Sequence, residues 1–193
     1  MEIHGWLIGI GVAVLVTGPL VSDAAARQRA IRVTLVDKVN VAATELARAK
    51  AAVEEIFRAV DVGVEWLSDH RIGSAVTDGA KRGPVFTLML VSNHDPVTTT
   101  GGCILGRAVP ALSSGYVFFN RIVETSALHP IDVAAVLGRV MTHELGHLLL
   151  SGGHAPYGIM RADLDLGFRN PDRFTPDQAR QIRARVLDAI AQR

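Results

Sequence analysis

Residues 130–160 read PIDVAAVLGRVMTHELGHLLLSGGHAPYGIM, and what this stretch becomes decides the fold. Ile131, Ala134, Ala135, Leu137, Val140, Met141, Leu145 and Leu148 cover most of the circumference of a helix, so the helix should be central rather than a surface one. It is predicted from Pro130 to about Leu150, with the proline in its first turn and Gly152-Gly153 closing it.

Working outward, Thr175-Pro176-Asp177-Gln178 spells a capping box with proline in the first turn of a C-terminal helix. Ala179, Ile182, Val186 and Ile190 would be its core stripe. Upstream, Ile31–Val36 alternates apolar with polar and is β-branched, which predicts a strand. Ala42, Leu46, Ala49, Val53, Ile56 and Val60 then line one helix face, ended by Gly63, and Val64–Leu67 reads as a second strand. Residues 68–83 and 92–102 are polar loops. Between them Val85–Val91 is almost wholly apolar, as expected of a strand buried on both faces. Cys103–Val109 and Tyr116–Asn120 are two further strands. A strand–helix–strand opening requires a right-handed crossover and parallel pairing. The class is α/β, or α+β, with one mainly parallel sheet.

The chain has 193 residues, 49% of them hydrophobic and 20% charged, with a formal net charge of +1. One globular domain of this size buries a substantial core. Positive and negative charges nearly cancel, so nothing suggests a nucleic-acid binder, and none is expected as a partner. The single cysteine, Cys103, excludes an internal disulfide framework and a cysteine-built metal site. Trp6–Val21 is an uncharged apolar run, short for a membrane span, and Ala24-Ala25-Ala26 follows with the small residues of a signal-peptidase site. Residues 1–26 are therefore expected to be a secretory signal, with residues 27–193 the folded domain, secreted or in the cell envelope (periplasm). Arg27 and Arg29 lie after the run and none precedes it, a polarity that favours an uncleaved anchor instead. Membrane association is expected only in that case. The few residues between Ala26 and the first strand leave no room for an inhibitory pro-segment.

The chemistry lies in His143-Glu144-Leu145-Gly146-His147. Histidines four apart occupy one helix face, one turn from each other, and can converge on a single zinc ion. Glu144, beside the first histidine, can take a proton from a water held there as that water attacks a carbonyl. Catalytic zinc takes three protein ligands and leaves one position open, and His154 is the natural third. Asp163 and Asp165 are the alternatives; no glutamate follows Glu144. Without a metal, three ionisable groups on so apolar a helix would be costly to bury.

The stretch His143–Met160 resembles the metzincin zinc peptidases, whose pattern is H-E-x-x-H-x-x-G-x-x-H followed by a methionine turn. His143, Glu144 and His147 match, and Met160 in Gly158-Ile159-Met160 looks like the methionine that underlies the metal. Leu150 stands at the family's glycine position, and His154 lies seven rather than six residues after His147. One extra helical residue with a Gly152-Gly153 turn would absorb the difference. The resemblance implies a twisted mixed sheet, a helix after the first strand, an active-site helix and a C-terminal helix. It also implies one zinc ion, a peptide or protein substrate, and an antiparallel edge strand that binds extended substrate, for which Cys103–Val109 is the candidate. A catalytically silent peptide-binding domain and a membrane-tethered interaction domain remain as alternatives. Tyr157 is read as turn packing or as an oxyanion donor, His129 as the helix entrance, His94 and Asp95 as a solvated loop, and Cys103 as a buried thiol.

Overall fold

Ile31 and Val33 are wholly buried, and the strand that carries them, β1 (Ala30–Asp37), lies between two parallel neighbours. In this computed structural model, residues 29–67, 83–92, 104–129, 131–163 and 173–192 are described. The leader 1–26, His94, Asp95, Cys103, Pro130 and Asp165 lie outside them. Among the described residues no helix is long and apolar enough to cross a membrane.

At the end of β1 the Asp37 carboxylate accepts the N–H groups of Val39 (2.9 Å) and Val41 (2.8 Å), which turns the chain into helix α1 (Ala43–Arg58). Ala49, Val53, Ile56 and Phe57 form the buried face of α1, close to the predicted stripe. The chain returns in β2 (Gly63–Leu67), parallel to β1 as the crossover requires. Strand β3 (Val85–Val91) follows on the other side of β1. Its burial on both faces is not observed. Phe86, Leu88 and Leu90 are buried, while Val85, Thr87 and Met89 are half-buried, so one face of the sheet is core and the other is partly covered.

Strand β4 (Gly106–Val109) and strand β5 (Ser114–Phe118) pair antiparallel, and β5 runs parallel to β3. The sheet order β2-β1-β3-β5-β4 is mixed and mainly parallel, with β4 as the antiparallel edge expected from the family resemblance. Boundaries of β4 and β5 are corrected: the strand expected over Cys103–Val109 begins at Gly106, after a non-strand Ile104 and Leu105. The strand expected at Tyr116–Asn120 begins at Ser114 and ends at Phe118, and Phe119–Leu128 is a helix, α2, that the sequence reading missed. Its buried side is short, Ile122 with Thr125 and Ser126, too little apolar periodicity to stand out in the sequence.

The central helix α3 spans Val133–Leu149 rather than starting at Pro130. Its cap is Asp132, whose side chain accepts the Ala135 N–H (2.9 Å) and pairs with Arg48 of α1 (2.9 Å). Helix α3 packs on α1 and crosses β4 and β5. Its C-terminus also departs from expectation. The helix stops at Leu149, Leu150 is extended (φ −96°, ψ 145°), and neither Gly152 nor Gly153 has positive φ. The extra residue before His154 is therefore taken up in the loop and not in the helix. Helix α4 (Pro176–Ala191) carries the predicted capping box, with Thr175 and Gln178 exchanging both bonds. Ala179, Ile182 and Val186 are buried and Ile190 packs against the core at its edge.

Asp132 gives a test of how α3 is anchored. Replacing it with alanine is expected to remove ~1 kcal/mol, lowering the melting temperature by about 2–4 °C at neutral pH. The Ala135 N–H and the Arg48 guanidinium hold this carboxyl below its ordinary value of 3.8. Its contribution is thus complete above that value and is lost as pH falls through the lower folded one. Melts of wild type and Asp132→Ala should separate at neutral pH and converge only once the pH has fallen below the lowered folded value.

Candidate metal centre

The last two turns of α3 present His143, Glu144 and His147 toward a cleft of about 890 Å³ whose opposite wall includes β4. His143 is buried (6% exposed) and its Nδ1 lies 2.8 Å from the carbonyl oxygen of Ile159. A carbonyl only accepts, so Nδ1 carries the proton and Nε2 keeps a free lone pair. Burial pushes the His143 pKa below its ordinary value, so the ring is neutral.

His147 Nε2 lies 3.0 Å from His143 Nε2 and 3.3 Å from His154 Nε2. Burial, and then the neighbouring His143 and His154, push the His147 pKa down to about 4. One imidazole N–H cannot satisfy both neighbours, whereas one cation satisfies all three lone pairs. Two nitrogens on a tetrahedral zinc, each at about 2.05 Å, are separated by about 3.3 Å, which the observed spacings match closely. Among the described residues these three histidines form the group able to hold a metal ion. Asp163 lines the cleft but is not part of that group.

The placement of His154, on an exposed loop, depends on the turn below it. The Ala155 N–H donates to the Met160 carbonyl (2.7 Å), Ile159 N–H to Arg173 (3.0 Å) and Arg161 N–H to Gly158 (3.3 Å). Gly158 has φ +78°, and a Cβ there would lie 2.6 Å from the Arg173 carbonyl oxygen, so both conformation and space require glycine. The turn delivers Met160, fully buried, beneath Gly146, the residue just before the second histidine. A Cβ on Gly146 would collide with the Met160 sulfur and come within 3.2 Å of its terminal methyl. Thus Met160 fits under α3 because position 146 has no side chain.

Glu144 is 4% exposed and faces the other wall. Burial pushes its carboxyl up to about 8, opposed by a hydrogen bond from the Ala108 backbone N–H on β4. Oε2 has no hydrogen-bond partner. A buried, unpartnered carboxylate oxygen in the cleft that holds three convergent imidazoles is suited to receive a proton from a bound water. The Ala108 N–H and the Ile159 carbonyl were not legible as site groups, since neither involves a distinctive side chain. Tyr157 is 59% exposed and is not among the residues lining the cleft. His129 is exposed and caps α2 at its C-terminus, with its N–H on the Thr125 carbonyl (3.2 Å).

No protein-family model and no curated protein sequence matches the chain. Among solved structures it is similar to a zinc-dependent peptidase from Methanocorpusculum labreanum, with TM-score 0.53 and 17% identity, covering 79% of this chain and 99% of that one. It is also similar to an archaemetzincin from Methanopyrus kandleri, with TM-score 0.51 and 16% identity, covering 90% of this chain and 100% of that one. The α/β fold with one mixed, mainly parallel sheet expected from the sequence is shared with these two structures.

The packing under the site can be tested directly. Met160→Ala empties a fully buried volume beside Gly146. It is expected to cost ~2–5 kcal/mol in urea unfolding of the metal-free protein, as for other large-to-small core changes.

Proposed function

We propose that this protein is a zinc-dependent endopeptidase, with His143, His147 and His154 as the metal ligands and Glu144 as the general base. The observation that carries this reading is the convergence of three Nε2 atoms beside a buried carboxylate with one unpartnered oxygen. The fold shared with zinc peptidases supports it.

The donor set suits zinc. Three neutral imidazoles are borderline-soft ligands that leave a fourth position open. When bound, zinc supplies a Lewis acid that polarises the scissile carbonyl and makes water a nucleophile at neutral pH. The protein does the rest. The Ile159 carbonyl holds the tautomer of His143, which keeps Nε2 toward the metal. Glu144 Oε2 takes the proton as water attacks and returns it to the leaving amine. The burial that raises the carboxyl in the metal-free protein is opposed, in the loaded one, by a nearby dication, which favours the ionised base.

The cleft has room for a stretch of polypeptide, and the β4 edge beside it offers main-chain groups to an extended substrate. Its walls are mostly apolar near Leu105, Phe118, Val140 and Leu150, as a peptide side chain would require. Residues 1–26, read as a leader, would deliver this activity to the cell envelope or beyond it.

Glu144→Ala is expected to retain one zinc per chain and to lower the rate of cleavage of a quenched fluorescent peptide by about 10²–10⁴-fold. His154→Ala is expected to lose both metal and activity. Zinc content by elemental analysis and the peptide assay together check the two outcomes. Wild-type rates in the Glu144→Ala protein would refute the assigned base.

A further inference from the structure

Gly106 stands on the edge strand β4 opposite Val117, in a register that nothing in its own backbone requires a glycine to occupy. Its φ is not positive; among the described glycines only Gly158 has that conformation. The space beside it is the unusual feature. A Cβ built on Gly106 would collide with Glu144 Oε1 and lie 2.8 Å from both Cδ and Cγ of the same side chain. The volume that any other residue would fill is occupied by the carboxylate.

The neighbouring positions leave the carboxylate few other places. On β5, a Cβ on Gly115 would lie 3.2 Å from Glu144 Cβ, so the stem of the side chain is tight against that strand. Two residues along β4, the Ala108 N–H holds the carboxyl by a hydrogen bond. Glu144 itself is buried, so its carboxylate has little open solvent to swing into. The carboxylate is thus placed by contact on the β4 side, and Oε2 is the oxygen left without a hydrogen-bond partner.

We propose that Gly106 is a positioning residue for the general base: its missing side chain makes the slot in β4 that seats the Glu144 carboxylate beside the three histidines. The assignment rests on Glu144 having the role given above, but the seating itself is independent of peptide hydrolysis. A methyl group at position 106 moves the carboxylate by roughly the thickness of that methyl, and misplacement of about 1 Å costs a catalytic group much of its effect. It leaves the three imidazoles, which belong to α3 and the following loop, where they are.

The test is a cycle of four full-length, zinc-loaded proteins: wild type, Gly106→Ala, Glu144→Ala and the double variant. Gly106→Ala is expected to keep one zinc per chain and a KM within about twofold of wild type, and to lose roughly tenfold or more in kcat. Its melting temperature should fall where Glu144 is present. In the Glu144→Ala background the same change should be neutral or stabilising, because alanine suits a strand better than glycine once the space is empty. An equal fall in both backgrounds, or an unchanged kcat in Gly106→Ala, would overturn the proposal. If Gly106→Ala alone fails to fold while the double variant folds, the seating is supported; if neither folds, it is refuted. If wild type cleaves no peptide, the peptidase reading fails, and the melting-temperature cycle still decides whether Gly106 seats Glu144.

Discussion

A single hydrogen bond, from His143 Nδ1–H to the Ile159 carbonyl, orients the first of the three histidines and ties its helix to the turn that carries Met160. It joins α3 to the turn sixteen residues later, and it fixes one histidine tautomer so that Nε2 faces the cleft. The same turn places Met160 under Gly146 and, through the Ala155 N–H, holds the segment next to His154. The His143 ring, the packing under Gly146 and the segment next to His154 are therefore all tied to one short piece of backbone. A buried imidazole that titrates below its ordinary value stays neutral, which is the protonation state a metal needs.

The second constraint lies across the cleft. Glu144 is a carboxylate taken almost completely out of water, which raises its pKa to about 8 and leaves Oε2 without a partner. A chain selected for stability alone would avoid this. The cost is offset in part by the Ala108 N–H and by the close fit against β4. The edge strand thus seats the Glu144 carboxylate as well as closing the sheet.

Much of the architecture was legible before any coordinates. The capping box at Thr175, the core faces of α1 and α4, the bounds of β3 and the parallel return of β2 all follow from periodicity and punctuation in consecutive residues. Helix α2 was not, because its ten residues bury only Ile122 and two small polar side chains. The two-faced burial expected of β3 was wrong for a related reason. An apolar run shows that a segment is buried but not how much of each sheet face the neighbours cover.

His143, Glu144, His147 and the candidacy of His154 were determined by the sequence itself, since a helix period of 3.6 residues puts positions 143 and 147 on one face in any context. The tertiary structure decided that residue 154 reaches that point. Helix α3 ends at Leu149 and an extended Leu150 begins the loop, so the additional residue is spent in a segment whose path local propensity does not specify. Only the tertiary structure could place Ile159 and Met160 beside His143 and Gly146, and Ala108 and Gly106 beside Glu144. These groups act through a carbonyl, a packed sulfur, a backbone N–H and a vacant Cβ position, and none of these has a sequence pattern of its own. Their roles exist only once distant segments have been packed together.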